Sequence, residues 1–347
     1  MPPARQPALF MPAMLYGVVG WPLAQSLSPL LHNAGFQALR IPAAYMRWEI
    51  PPDRLRHFVE SVRLIDVQGC SITIPHKMAL LPMLDSVSEQ ARLTGAVNTI
   101  YRQGKVLCGE NTDITGFLQP LADSPLENMD ALILGAGGAA HAAAAALSLR
   151  RARRVFAATP SDRSHLPLTE RFACIPVPWR ERHDLLAHLV INATPLGMRG
   201  RHEEKTPFDF TLAGRPADGT PVIAYDIVYN PLETRFLREA RLAGRRCVSG
   251  LAMFTGQADA QFRLWTGQPL PPLAFDRLRA ALGGANPAEA HRQDNTDPPA
   301  PPLTPRDMYA HPDTARRQPE HVRQTRPGPL RHSHPGRNQR AARRTGQ

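Results

Sequence analysis

The sequence predicts an α/β fold in two domains, and three observations carry that prediction. Its 347 residues exceed one ordinary domain of roughly 150 residues and fit two. Hydrophobic residues make up 43% and charged residues 20%, the balance of a globular chain rather than of a membrane bundle or a wholly disordered one. Between Met14 and Gly284, apolar strand-like runs alternate with helical patterns, as they do in βαβ units. MLYGVVG reads as a short apolar strand ending on Gly20. SPLLHNAGFQALR follows as an amphipathic helix, AAYMRWEI as a strand and PDRLRHFVESVRLID as a second helix. GCSITI is β-branched and is stopped by Pro75, which has no N–H to give a ladder. MALLPMLDSVSEQARLTG reads as helical, and NTIYRQ and KVLCGEN as two strands joined by a Gly-containing turn.

A second series begins at Asp130. ALILGAGGAAHAAAAALSLR combines a buried strand, a tight glycine turn and an alanine-rich helix. Gly135, Gly137 and Ala140 occupy the G-x-G-x-x-G/A spacing of a Rossmann domain. There the first glycine allows the turn, the second lets backbone approach a pyrophosphate, and the small third residue permits close helix–sheet packing. With Ala136, Gly138 and Ala139, this loop is expected to hold an NAD(P) dinucleotide at the helix N-terminus; the alternative is a structural turn that binds nothing. The next strand, RRVFAATP, ends at Ala158 and Thr159 without an acidic residue for a ribose 2′-hydroxyl, and Arg163 lies just beyond. That pattern favours NADP, whose 2′-phosphate needs a cation, with NAD as the alternative because Asp162 adjoins the arginine.

Much of the excess charge and proline sits at the ends. The chain carries net +11 and 36 prolines; from residue 286 onward alone there are eleven arginines, six acidic residues and eleven prolines. Residues 285–347 are therefore expected to form a disordered Pro/Arg-rich tail, read as a solvated appendage in preference to a nucleic-acid arm. Residues 1–13 are expected to be a disordered extension, with Met11 and Met14 as alternative starts. No secretory core and no apolar run of about 18 residues occurs, so a cytoplasmic protein without membrane partners is expected. Cys70, Cys108, Cys174 and Cys247 lie far apart without a C-x-x-C pair, as free thiols do, and no metal is expected.

Lysine usage supplies a separate clue. Only Lys77, Lys105 and Lys205 stand against 38 arginines. Lys77 follows a strand, where catalytic residues of α/β folds sit, and an amine can give and take a proton where guanidinium cannot. A surface cation is the alternative reading.

Over Leu15 to Gly267 the chain resembles the shikimate dehydrogenase family. YGVVGWPLAQSLSPLLHN resembles the family's N-terminal motif, whose serines, here Ser26 and Ser28, bind the substrate carboxylate. GCSITIPHK resembles the strand with the catalytic lysine, here Lys77, with Thr73 facing substrate hydroxyls. GAVNT and GENTD place Asn98 and Asp113 at the positions of a substrate-binding Asn and the catalytic Asp. GAGGAA is like the NADP loop, INATPLGM, with Thr194, a later nucleotide-side loop, and YDIVYNPLET holds Ile227 and a substrate-contacting Tyr, here Tyr229. GLAMFTGQ runs from Gly250, on the nucleotide side, to Gln257, which matches a substrate-bonding Gln. Taken singly, Ser28 also reads as a helix N-cap, Asn98 and Asn111 as turn formers and Tyr229 as a core aromatic.

The resemblance implies a substrate-binding catalytic domain over 14–111, to which 250–284 return, a Rossmann domain over 112–249, and an active site in the cleft between them. It implies reversible NADP-dependent reduction of 3-dehydroshikimate to shikimate in aromatic amino-acid (chorismate) biosynthesis, with Lys77 handling the proton and Asp113 holding it in register. Two positions depart from the family pattern: Ser71 stands where many members have Asn, and Ala158, Thr159 and Pro160 replace an N-R-T run, leaving Arg163 to meet a phosphate. The alternatives are a quinate/shikimate dehydrogenase using NAD and, from a different class, a non-catalytic nucleotide- or nucleic-acid-binding protein acting through the tail. The expected partner is the small-molecule substrate, for a monomer or homodimer.

Overall fold

The computed structural model describes residues 11–23, 26–200 and 202–283; the tail expected over 285–347, and most of the extension expected over 1–13, lie outside the described residues. The first lobe is built on β1 (Met14–Gly20), α1 (Ser28–Ala38), β2 (Ala43–Glu49), α2 (Leu55–Leu64), β3 (Gly69–Ile72), β4 (Ser86–Val87), α3 (Glu89–Thr94), β5 (Thr99–Gln103) and β6 (Val106–Glu110). Its sheet runs β2-β1-β3-β5-β6-β4. β1 pairs in parallel with β2 and β3, whereas β5 is antiparallel to both β3 and β6. The expected hairpin is present: Gln103 faces Val106 across Gly104 and Lys105, and Gly104 takes the φ of 61° that such a turn needs.

The helix expected over 78–95 does not form as one piece. Asp85 accepts from the Leu107 N–H and from Arg63, and Ser86–Val87 join the sheet beside β6. Helix starts only at Ser88, which caps the Ala91 N–H, and ends at Gly95 with φ of 67°. Pairing to the sheet edge overrides the local helical pattern.

The second lobe contains α4 (Asp113–Leu118), β7 (Asp130–Leu134), α5 (Gly138–Leu149), β8 (Arg154–Ala158), α6 (Leu166–Phe172), β9 (Ile175–Pro176), β10 (Leu189–Asn192), β11 (Ile223–Asp226), α7 (Arg235–Leu242) and β12 (Arg246–Val248). All pairings in its sheet, β12-β11-β10-β7-β8-β9, are parallel. The order reverses between β7 and β10, which opens the crevice where such sheets take ligands. Both faces are covered: Ala131 and Ile133 pack with the alanines of α5 on one, Leu132 and Leu134 with Phe236 and Leu237 on the other.

α8 (Gly250–Thr266) and α9 (Pro272–Ala281) return to the first lobe, where Phe262, Leu270, Ala274 and Leu278 share a core with Leu31 and Phe36 of α1. The outgoing helix α4 and the returning helix α8 cross in contact. A Cβ on Gly116 would lie 2.5 Å from the Met253 carbonyl oxygen and 2.8 Å from the Gln257 nitrogen, and one on Gly256 would lie 3.1 Å from the Gly116 Cα. A further tie between the lobes comes from Arg171 of α6, whose guanidinium bonds the Leu93 carbonyl at 2.6 Å and also the Arg92 carbonyl, placing a cation on the C-terminus of α3.

Gly116→Ala forces backbone apart, so it is expected to destabilise the chain by about 1–3 kcal/mol. Gly256→Ala meets chiefly the movable Gln119 amide and is expected to cost less. Urea midpoints of the two variants check that order.

Candidate active site

Lys77 stands in the turn after β3. His76 fixes that turn through a 2.7 Å bond between its Nε2 and the Ile50 carbonyl, and the Lys77 carbonyl accepts from the Val97 N–H at 2.8 Å. Asp113 opens α4, its N–H donating to Asn111 Oδ1 at 3.1 Å. The two side chains meet: Lys77 Nζ donates to Asp113 Oδ2 at 2.5 Å, with 18% and 8% of their surfaces exposed. This is a nearly dry ion pair with its remaining ammonium hydrogens free among the described residues.

Asn98 supports the carboxylate. Its Nδ2 donates to Asp113 Oδ1 at 2.7 Å and to Thr112 Oγ1 at 3.0 Å, while its Oδ1 accepts from the Thr112 N–H and the Thr99 hydroxyl. An amide has two donors and two lone pairs, so Asn98 spends its whole capacity inside the protein. It orients Asp113, and a bound molecule would have to displace one of these bonds to touch it. Asn111 holds the other end, bonding Thr94 Oγ1 and the Ala96 carbonyl.

Ser71, Thr73, Ser26 and Ser28 border the same region of the first lobe. Ser28 is the first residue of α1, whose cap position is Leu27, so it is not the helix cap; its hydroxyl bonds Tyr45. Tyr45 in turn donates to Ser71 Oγ at 2.6 Å, and Ser71 donates to Gln261 Oε1 at 2.7 Å. Ser26 and Thr73 are half-buried. Tyr229 stacks on Phe254 with ring centres 4.7 Å apart, and burial pushes its phenol pKa up. Gln257 donates to the Phe254 carbonyl at 3.1 Å and abuts Gly116. The sequence reading missed Tyr45, Thr99 and Gln261. Gln261 lies four residues after Gln257 on α8, hence on the same face, which was the available signal; Tyr45 gave none beyond an inward position on β2.

On the nucleotide side, Gly135 takes φ of 112° and a Cβ there would lie 2.8 Å from the Ala193 carbonyl oxygen. Gly135 thus lets β7 turn hard against the loop after β10. A Cβ on Gly137 would meet nothing within 4 Å, whereas one on Gly138 would lie 3.6 Å from Lys77 Cδ. Open room therefore fronts the N-terminus of α5, beside the lysine, as a dinucleotide requires, and Ala136 and Ala139 complete the half-buried loop. Asp226 ties the loops after β10 and β11 together: it accepts from Asn192 Nδ2 at 2.9 Å, the Val228 N–H at 3.0 Å and the Thr234 hydroxyl. Asn192 Oδ1 accepts from Thr194 N–H and Oγ1, and its carbonyl from the Ile227 N–H. Gly250 admits this clip, since a Cβ there would lie 2.3 Å from the Ile227 carbonyl oxygen.

Thr159 is buried and bonded to His165 at 3.2 Å, so its hydroxyl is already engaged by the protein. Arg163 is exposed. Asp162 Oδ1 accepts from the Trp179 N–H at 2.7 Å, which engages the one carboxylate beside that arginine. A hollow lined by Pro160, His165, Trp179 and Arg180, among others, lies at this end of the sheet, away from Lys77.

A parallel sheet with a glycine loop at its switch point, beside a carboxylate that pairs with a lysine of the other lobe, defines a dinucleotide-dependent oxidoreductase. The model for the shikimate dehydrogenase substrate binding domain matches residues 18–100. Shikimate dehydrogenase (NADP(+)) of Pelobacter propionicus is 49% identical over 271 residues, covering 77% of this chain and 96% of the relative, and that of Oleidesulfovibrio alaskensis is 45% identical over 276 residues, covering 79% and 96%. The crystal structure of shikimate 5-dehydrogenase from Thermus thermophilus in complex with NADP(H) and shikimate is similar with TM-score 0.68 at 36% identity, covering 77% of this chain and 99% of that one. The chain belongs to the shikimate dehydrogenase family. Among the described residues no helix is long and apolar enough to cross a membrane.

Burial pushes the Asp226 carboxyl up from 3.8 to about 7 against the pull of its three donors. The folded chain then holds that proton more tightly than the unfolded one, so the contribution is full below 3.8 and lost as pH rises through about 7. In Asp226→Asn, the fall of melting temperature across that interval is expected to flatten; an unchanged slope would assign it to another group.

Proposed function

We propose that the protein catalyses the NADP-dependent, reversible reduction of 3-dehydroshikimate to shikimate, the reaction its relatives are named for, in aromatic amino-acid biosynthesis. The observation that carries this reading is the Lys77–Asp113 pair at 2.5 Å, set beside the open glycine loop. Residues 14–111 with 250–284 serve as the substrate-binding domain and 112–249 as the dinucleotide-binding domain.

Gly135, Ala136, Gly137, Gly138 and Ala139 hold the pyrophosphate, with Thr194, Ile227 and Gly250 on the nicotinamide side, Thr159 by its backbone, and Arg163 at the 2′-phosphate. The dinucleotide, when bound, supplies the hydride. Lys77 Nζ holds a proton at the ring carbonyl oxygen as negative charge grows there, and in the reverse direction receives the proton of the hydroxyl. Asp113 keeps Nζ in place beside the reacting oxygen, and Asn98 keeps Asp113 in place. Ser26 and Ser28 meet the carboxylate through hydroxyl donors, and Ser71, Thr73, Tyr229 and Gln257 meet the ring hydroxyls. The NADP(+) in the names of its relatives supports NADP over NAD.

Lys77→Ala is expected to lower kcat by about a hundredfold or more with KM little changed; near wild-type turnover would sink the assignment. Steady-state kinetics with shikimate and quinate, each with NADP and NAD, should give the highest kcat/KM for shikimate with NADP. Gly137→Ala adds a methyl where the protein leaves space, so its melting temperature without nucleotide should match wild type. Its calorimetric NADPH affinity should fall about tenfold or more as the close backbone approach is lost.

A further inference from the structure

Gln261 lies outside every motif of the proposed reaction, yet it is 1% exposed and its amide joins two halves of the site. Its Oε1 accepts from the Ser71 hydroxyl at 2.7 Å, and its Nε2 donates to Thr99 Oγ1 at 2.9 Å and to the Asn98 carbonyl at 3.2 Å. The bonds run in one sense. Tyr45 donates to Ser71, Ser71 to Gln261, Gln261 to Thr99, Thr99 to Asn98 Oδ1, and Asn98 Nδ2 to the Asp113 carboxylate that pairs with Lys77. A hydroxyl has one proton and two lone pairs. Ser71 therefore gives its proton to Gln261 and one lone pair to Tyr45, and turns a single lone pair outward, an acceptor for a hydroxyl group. Thr99, with its oxygen taken by Gln261, has its proton directed at Asn98.

The chain is enclosed by aromatic rings. His32 stacks on Tyr45 with ring centres 4.6 Å apart, and burial holds its imidazole down at about 3, a shift that the nearby Gln261 amide offsets only in part. Neither ring nitrogen has a partner in good hydrogen-bond geometry. His32 is a neutral ring that packs against Tyr45 at working pH. Tyr45, pushed up by burial, keeps its proton. The chain of donors thus runs from Tyr45 inward and ends on the Asp113 carboxylate.

We propose that Gln261 is a positioning residue that couples the hydroxyl-recognising Ser71 to the Lys77–Asp113 pair, acting on the first directly and on the second through Thr99 and Asn98. This rests on the reaction proposed above. Cutting the chain at different links should then give different kinetic signatures. Tyr45→Phe frees Ser71, and releases Ser28 with it, both on the substrate-recognising side, and raises KM for shikimate several-fold with kcat retained. Thr99→Val cuts only the branch to Asn98; it lowers kcat about tenfold with KM retained and moves the pH limb of kcat by about one unit, the scale of one hydrogen bond feeding a charged group. Gln261→Met, of similar length without the amide, does both, and Thr99→Ser restores wild-type values.

The full-length variants would be compared by shikimate oxidation with NADP across pH, by calorimetric shikimate affinity and by thermal melting. Gln261→Met with both constants within twofold of wild type, or Tyr45→Phe and Thr99→Val shifting the same constant, would overturn the coupling. If Gln261→Met fails to fold, the Tyr45→Phe, Thr99→Val and Thr99→Ser variants still decide it. Shikimate oxidation by the wild-type chain separates the two levels: its absence overturns the reaction and this inference with it, whereas a working enzyme with indistinguishable variants overturns only the inference.

Discussion

The contact of Gly116 with α8 is the constraint on which the rest of the architecture depends. The polypeptide leaves the first lobe along α4 and comes back along α8, and the two helices touch with backbone against backbone. No other residue type allows that approach, because a Cβ at Gly116 would overlap a carbonyl oxygen rather than a side chain that could move. The consequences are local and specific. Asp113 lies one turn before Gly116 on α4, and Gln257 and Gln261 follow Gly256 on α8. Bringing the helices together therefore brings a carboxylate and two amides into the neighbourhood of Lys77, which arrives independently from β3.

Around that crossing the protein satisfies buried polar groups almost completely, and the manner of satisfaction has chemical meaning. Asn98 uses both donors and both lone pairs on its own chain and so fixes a neighbour. Lys77 keeps ammonium hydrogens available, and Ser71 keeps one lone pair. In a low-dielectric site an unpaired polar group is costly, so spare capacity at Lys77 and Ser71 is capacity a bound molecule can use. The same rule applies on the nucleotide side, where Asp226 and Asn192 consume each other's capacity and leave Gly137 and its neighbours open.

Much of this was legible in the sequence, for identifiable reasons. β1, α1, β2, α2, β7, α5 and β8 follow from hydrophobic period because each packs one or both faces on a sheet with nothing competing. The glycine loop follows from φ and clearance at Gly135. Lys77 stood out by its rarity, and Asp113 through a resemblance spanning several motifs. The helix expected over 78–95 failed because Asp85, Ser86 and Val87 are claimed by β6 and Arg63, partners distant in sequence that no local pattern reveals. Tyr45, Thr99 and Gln261 escaped for a related reason. A tyrosine on a strand and a glutamine within a helix look like ordinary positions, and their role comes from meeting over 26 and 190 residues of chain through Ser71. Asn98 was expected to contact substrate, and the structure adds a prior duty toward Asp113 that residue type and spacing do not encode.

Arg171 gives the two lobes a second point of attachment, on the carbonyls that end α3. Of the rotations of one lobe against the other, one leaves both pins in place, that about the line through them. One pin is the glycine contact on α4, and Asp113 lies a single turn from it, so any such rotation displaces the carboxylate less than atoms farther from that axis. Asp113 thus sits where such a rotation would move atoms little.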